Sequence, residues 1–188
     1  MKQAWLACLA ASCAFSASTR AADILTIVVD NEEGIYTMHS DVWFDATPNQ
    51  IFQVYRHWDY STQFSRAIVE SRDMEPDEDG RPQFYVRNKG CVLFFCKSFV
   101  RQGYVEVEDE RVLRAFTNPE TSDFHLSNES WTFVEKDGGT VVTYTLEMKP
   151  KFWVPPAVGP YFIKRKLKKS GGQAVDRIEA IAQGIGSD

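Results

Sequence analysis

Glu129 is the residue in this chain whose position most suggests chemistry. On an extended strand it shares a face with Trp131 and Phe133, so if those aromatics point inward the carboxylate does too. A carboxylate among apolar side chains needs a partner, because burying it alone costs several kcal/mol. Arg114 shares a face with Val112 and Phe116, and Arg101 with Phe99 and Val105, so a Glu129–Arg114 or Glu129–Arg101 pair is expected. Such a pair either braces a sheet or holds the polar head of a ligand. A second constellation is His125 with Asp123 and Glu129, a candidate general acid/base cluster if a cavity shifts these groups toward neutrality. Its alternative is a strand-end histidine beside a loop. The three histidines, His39, His57 and His125, stand at no zinc-binding spacing, and neither a glycine-rich phosphate loop nor a nucleophile elbow occurs. No metal and no cofactor are expected.

The first residues must be set aside before the elements that position these groups are read. Lys2 supplies a minimal basic start, Ala4 to Phe15 is a mostly apolar run, and small residues follow from Ser16 to Ser18, then Thr19-Arg20-Ala21-Ala22. The run falls short of the roughly 20 residues that span a bilayer. It reads as a secretory signal cleaved between Ala17 and Ala22, leaving one domain over 23–188 in a periplasmic or secreted protein. Export implies an oxidising compartment for the two remaining cysteines, Cys91 and Cys96. Five apart on one regular strand they would face opposite ways, whereas at the tip of a hairpin they can bond, and Gly90 favours a turn there. A loop-tip disulfide and a pair of small buried thiols are the two readings.

Ile24 to Val29 is a short apolar run that could form an edge strand but is left out of the strand count. Ile35 to Asp45 is the first clear strand, and Thr47-Pro48-Asn49-Gln50 forms a capping box ahead of a helix carrying Ile51, Val54, Tyr55 and Trp58 on one face. Further strands are expected at Ile68 to Met74, Gln83 to Arg87, Lys97 to Glu108, Arg111 to Asn118, His125 to Glu135 and Thr140 to Lys149. Turns are read at Asn88-Lys89-Gly90, Asp109-Glu110 and Asp137-Gly138. A final helix from about Val158 to Gln183 has its apolar stripe at Ile163, Leu167, Ala174, Ile178 and Ile181. Gly171 and Gly172 interrupt it, either for close packing on the sheet or to leave room for a ligand. This α+β order gives seven antiparallel strands with the helices on one face.

The order, with its particular residues, resembles the START-like (SRPBCC) superfamily, nearest the polyketide cyclases and coenzyme Q-binding START proteins. The resemblance is carried by Val42-Trp43-Phe44-Asp45-Ala46-Thr47-Pro48, Trp58-Asp59-Tyr60, Ile68-Val69-Glu70-Ser71, Glu129-Ser130-Trp131-Thr132-Phe133 and Gly138-Gly139-Thr140. It spans about residues 34 to 184 and implies a helix-grip fold, a curved seven-stranded antiparallel sheet around a long C-terminal helix. The Cys91–Cys96 element and Phe152-Trp153-Val154-Pro155-Pro156 resemble marks of an exported bacterial branch. In a cavity of that fold the candidate ligand contacts are Glu129, Arg101, Arg114, Trp131, Phe133, Tyr144, Gly171 and Gly172. The function so implied is binding or carriage of a lipid- or isoprenoid-like molecule by a monomer. The alternative is a cyclase- or hydrolase-like enzyme using His125 or Glu129 in the same cavity.

Charge narrows the partners. A net charge of −5 argues against nucleic acid. Yet Lys149 to Lys169 holds seven basic residues and no acidic one, leaving 14 basic residues against 26 acidic elsewhere. Beside Phe152 and Trp153 this segment suits contact with an anionic membrane surface, and Phe94 and Phe95 form a second candidate contact. The other reading packs these aromatics on the core and leaves the lysines on an ordinary solvated helix face.

Overall fold

The computed structural model describes residues 21–92, 95–154 and 159–185. Residues 1–20, which hold most of the expected signal peptide, lie outside them, as does Phe94. Strands β1 (Asp23–Glu32) and β2 (Ile35–Phe44) lead into α1 (Pro48–Arg56), a 3-10 turn (Trp58–Tyr60) and α2 (Ser61–Phe64). There follow β3 (Ile68–Met74), β4 (Gln83–Val92), β5 (Phe95–Glu108), β6 (Val112–Thr117), β7 (Phe124–Lys136), β8 (Gly139–Pro150) and α3 (Gly159–Ile185). All pairings are antiparallel in one eight-stranded sheet of order β1-β2-β8-β7-β6-β5-β4-β3.

Local chemistry explains most boundaries. Thr47 Oγ1 accepts from the Gln50 N–H while the Gln50 side chain accepts from the Thr47 N–H at 2.9 Å, so the expected capping box opens α1. Asp137 and Gly138 both take positive φ, 54° and 77°, which suits a two-residue hairpin. The α1 helix ends sooner than its apolar spacing predicts, at Arg56, because His57 is extended. Trp58 still reaches the core from the 3-10 turn, stacked on Phe84 with ring centroids 4.1 Å apart.

Two sequence expectations are corrected. The apolar run at Ile24 is a strand, so the sheet has eight strands rather than seven. Its register shifts between Ile24 and Thr26, and this bulge reverses the side-chain parity that would have marked it as a strand. Asn88-Lys89-Gly90 is not a turn, since β4 continues to Val92, with Asn88 opposite Phe99 and Gly90 opposite Lys97. Gly90 serves a close approach instead: a Cβ there would lie 3.2 Å from the Phe99 ring. Cys91 and Cys96 are therefore directly opposite each other across β4 and β5 and form the disulfide, with Cα atoms 4.0 Å apart.

Gly103 is the most tightly confined glycine among the described residues, for a Cβ on it would sit 1.9 Å from the Phe116 carbonyl oxygen. Backbone cannot yield as a flexible side chain can. Gly103→Ala is expected to lower unfolding free energy by at least about 2 kcal/mol in urea titration, as overpacking against fixed atoms does.

Candidate functional site

The concave face of the sheet and the inner face of α3 enclose a cavity of about 760 Å³. Its wall is overwhelmingly apolar, with Ile27, Met38, Val42 and Leu146 from the β1-β2-β8 side, Tyr55, Phe64 and Ile68 from the α1–β3 side, and Phe162, Leu167 and Ile178 from α3. The helix is held unevenly. Its C-terminal half buries Val175, Ile178 and Ala182. There Gln183 donates to the Asp45 carbonyl at 3.0 Å and Arg177 to the Phe64 carbonyl at 3.2 Å. The first half, from Phe162 to Leu167, has its inward side chains only half-buried. At that end the cavity wall reaches exposed residues, namely Lys89, Cys91, Cys96, Lys97, Trp153 and Lys166, which place the mouth there.

One ion pair stands inside. Arg101 Nη1 lies 2.5 Å from Glu129 Oε2, and the Tyr144 hydroxyl donates to Glu129 Oε1 at 2.6 Å. Both charged side chains are well covered, 14% and 8% exposed. Burial, then the neighbouring Glu129 charge, hold the Tyr144 hydroxyl well above the usual phenol range, so it stays a donor. Trp131 lies over Tyr144 with ring centroids 5.3 Å apart and backs the cluster. Burial also pushes the Tyr55 hydroxyl above its ordinary range. Trp58 also lines the cavity, but its indole N–H is buried away from that space and has no acceptor among the described residues.

Of the residues singled out from sequence, Glu129, Arg101, Trp131, Tyr144 and Gly171 line the cavity. Gly171 is also a close packing point, since a Cβ there would stand 3.2 Å from Met38 and 3.3 Å from Ile27. Three others do not line it. Arg114 lies on the outer face, paired with Glu108 at 2.9 Å, because Leu113 and Ala115 take the inward positions of β6. Phe133 points inward but is sealed in the core against Phe52 and Tyr55. Gly172 faces the Ile24 side chain of β1.

The acid/base cluster is not assembled. His125 is exposed on the outer side, and the Asp123 carboxylate is engaged by the Val100 N–H at 2.8 Å. Among the described residues no group of histidine, cysteine and carboxylate side chains is arranged to hold a metal.

Phe152 is half-buried, grouped with Phe99 and Phe124 at centroid distances of 5.7 and 5.9 Å. Trp153 is 76% exposed beside the mouth. The side chain of Phe95 falls outside the described residues. No helix among the described residues is long and apolar enough to cross a membrane.

Sequence reasoning missed Ile24 and Ile27 as cavity wall, because the bulge in β1 hides this pair.

Comparison with known proteins places this geometry. A family model described as polyketide cyclase / dehydrase and lipid transport matches residues 44–170. Among solved structures, a START superfamily protein from Mycobacterium smegmatis is 15% identical, with 79% of this chain and 98% of that one covered and a TM-score of 0.61. A STAR-related lipid transfer protein from Xanthomonas axonopodis is 14% identical over 84% of this chain and 98% of that one, with a TM-score of 0.59. An aromatase/cyclase from a Streptomyces is 12% identical over 79% and 94%, with a TM-score of 0.60. Among curated proteins, none matches the sequence.

The buried pair generates a stability prediction. Arg101→Ala strands the Glu129 carboxylate and is expected to cost about 3 kcal/mol, while the double replacement Arg101→Met, Glu129→Leu recovers most of that loss. Denaturant midpoints of the single and double variants check it.

Proposed function

The chain belongs to the polyketide cyclase / dehydrase and lipid transport family, and we propose that it binds and carries a hydrophobic, lipid- or isoprenoid-like molecule in its internal cavity. The observation that carries this reading is the cavity of about 760 Å³, apolar on nearly all its wall and closed by α3. Water in such a space has few partners. A guest that displaces it gains about 2.5 kcal/mol for each 100 Å² of apolar surface buried.

The cluster of Arg101, Glu129 and Tyr144 supplies the polar contact for one end of the guest. Arg101 has guanidinium donors beyond the Nη1–Glu129 bond. Export to the periplasm or beyond is part of this reading, supported by the apolar N-terminal run and by a cross-strand disulfide that suits an oxidising compartment.

Loading takes place at a membrane surface in this reading. The mouth is ringed by Lys89, Lys97 and Lys166 with Trp153 exposed beside them, a cationic rim with an aromatic of the kind that settles at lipid headgroups. Lys151, Arg165, Lys168 and Lys169 extend the same charge in solvent.

Native mass spectrometry of mildly purified protein is expected to show a lipid-sized adduct that organic extraction removes. Glu129→Gln is expected to weaken uptake of that extracted molecule by the folded protein about tenfold, or 1.4 kcal/mol, and also to lower unfolding free energy because Arg101 loses its counter-charge. Equal uptake by the variant would refute the role of the carboxylate in binding, and protein that never carries or accepts an apolar guest would refute the carrier reading. In co-sedimentation, vesicles with anionic headgroups are expected to retain the protein and zwitterionic vesicles to release it. Trp153→Ala is expected to reduce retention severalfold.

A further inference from the structure

Glu179 is a buried carboxylate that the cavity does not use. It lies one residue past Ile178 on α3 and is 9% exposed. Its Oε1 accepts from the Asp45 N–H at 2.8 Å, just after β2, and its Oε2 from the Ala22 N–H at 3.0 Å, just before β1. Among the described residues no lysine, arginine or histidine side chain forms an ion pair with it. Two amide dipoles offset part of the cost of burying this charge, and a cation would offset more.

The place where a cation can arise is the Ala22 nitrogen itself. Ala21 is exposed and Ala22 half-buried against the core, so the chain passes from solvent to interior at the bond joining them. The residues ahead of that bond, Thr19-Arg20-Ala21, have a small side chain at the first and third positions, the small-x-small pattern at which a leader peptidase cuts.

We propose that the Ala21–Ala22 bond is the processing site of this protein, and that the amino terminus so freed is seated on Glu179 as an ion pair locking β1 and the C-terminal half of α3 together. A leader peptidase adds one water across the peptide bond. The water oxygen goes to the Ala21 carbonyl carbon, giving a carboxylate, while the Ala22 nitrogen leaves with its hydrogen and takes up two more as an ammonium. Without leaving its position 3.0 Å from Oε2, that nitrogen changes from a single amide donor into a full positive charge with three donors. The consequence reaches the cavity, because β1 contributes Ile24 and Ile27 to its wall.

This inference rests on the export reading, and the test keeps the two apart. The full-length chain is produced with export, and the N-terminal residue of the purified protein is determined by sequential degradation and intact mass. A start at Ala22 is the expected result. A start at any other residue overturns the Glu179 seat and leaves export standing, whereas a retained leader overturns both.

Acylation of the α-amine at neutral pH then reads the ion pair. An ammonium held by a carboxylate keeps its proton, so native protein is expected to react about tenfold more slowly than the same protein in urea. Glu179→Gln is expected to close most of that gap. Equal rates in native and unfolded protein overturn the seat, as does a folded Glu179→Gln protein with its amine still protected.

Discussion

A single helix lying across a strongly curved sheet cannot fill the concave face it covers, and this mismatch of volumes governs the molecule. The sheet has eight strands, and α3 packs closely on the side chains of β1 and β2 at Gly171 and Gly172, Met38 and Ile27 meeting the first and Ile24 the second. Its C-terminal half is pinned by Glu179, Gln183 and Arg177 and buries Val175, Ile178 and Ala182. At the N-terminal half Phe162, Ile163 and Leu167 look onto open space. The helix is thus anchored at one end and roofs the cavity at the other. The fold leaves a space that is apolar because its walls are the inward positions of strands and helices, and interior space of that kind favours an apolar guest over water.

Within that space the Arg101–Glu129 pair is an exception that must serve a purpose or be a burden. Its Coulomb gain is offset by the desolvation of both groups, so it adds little net stability over a well-packed apolar replacement. What it adds is direction. Tyr144, held as a donor by burial, fixes one oxygen of Glu129, and Arg101 fixes the other. The cluster therefore presents a stationary set of polar atoms in a wall that otherwise distinguishes guests only by size. The His125 cluster has no such footing, since an exposed imidazole retains the ordinary hydration that a cavity would have removed.

Charge is segregated in the same direction as openness. The rim lysines and the basic turns of α3 lie at the mouth, while the pinned end carries the polar contacts that fasten the helix. The disulfide sits on the rim as well, tying β4 to β5 where the two strands leave the rest of the sheet. The mouth thus combines a cross-linked strand pair with the exposed Trp153.

Much of this was legible in the residue pattern. The capping box at Thr47, the Asp137-Gly138 hairpin and the stripe from Ile163 to Ile178 depend on neighbours within one turn or one strand pair, so local spacing was enough to place them. Face parity likewise put Glu129, Arg101 and Trp131 on inward positions. Parity fails where register is decided by another strand. It could not see the bulge that turns Ile24 and Ile27 to the same side, nor tell that Arg114 belongs to the outer face, because the same alternation fits either assignment until a neighbouring strand is paired. The sequence by itself therefore determined the fold class, every strand but β1, the helices α1 and α3, and the face parity within single strands. Only the tertiary structure decided which arginine meets Glu129, where the cavity opens and which residues enclose it, since those follow from distances between segments up to 157 residues apart along the chain.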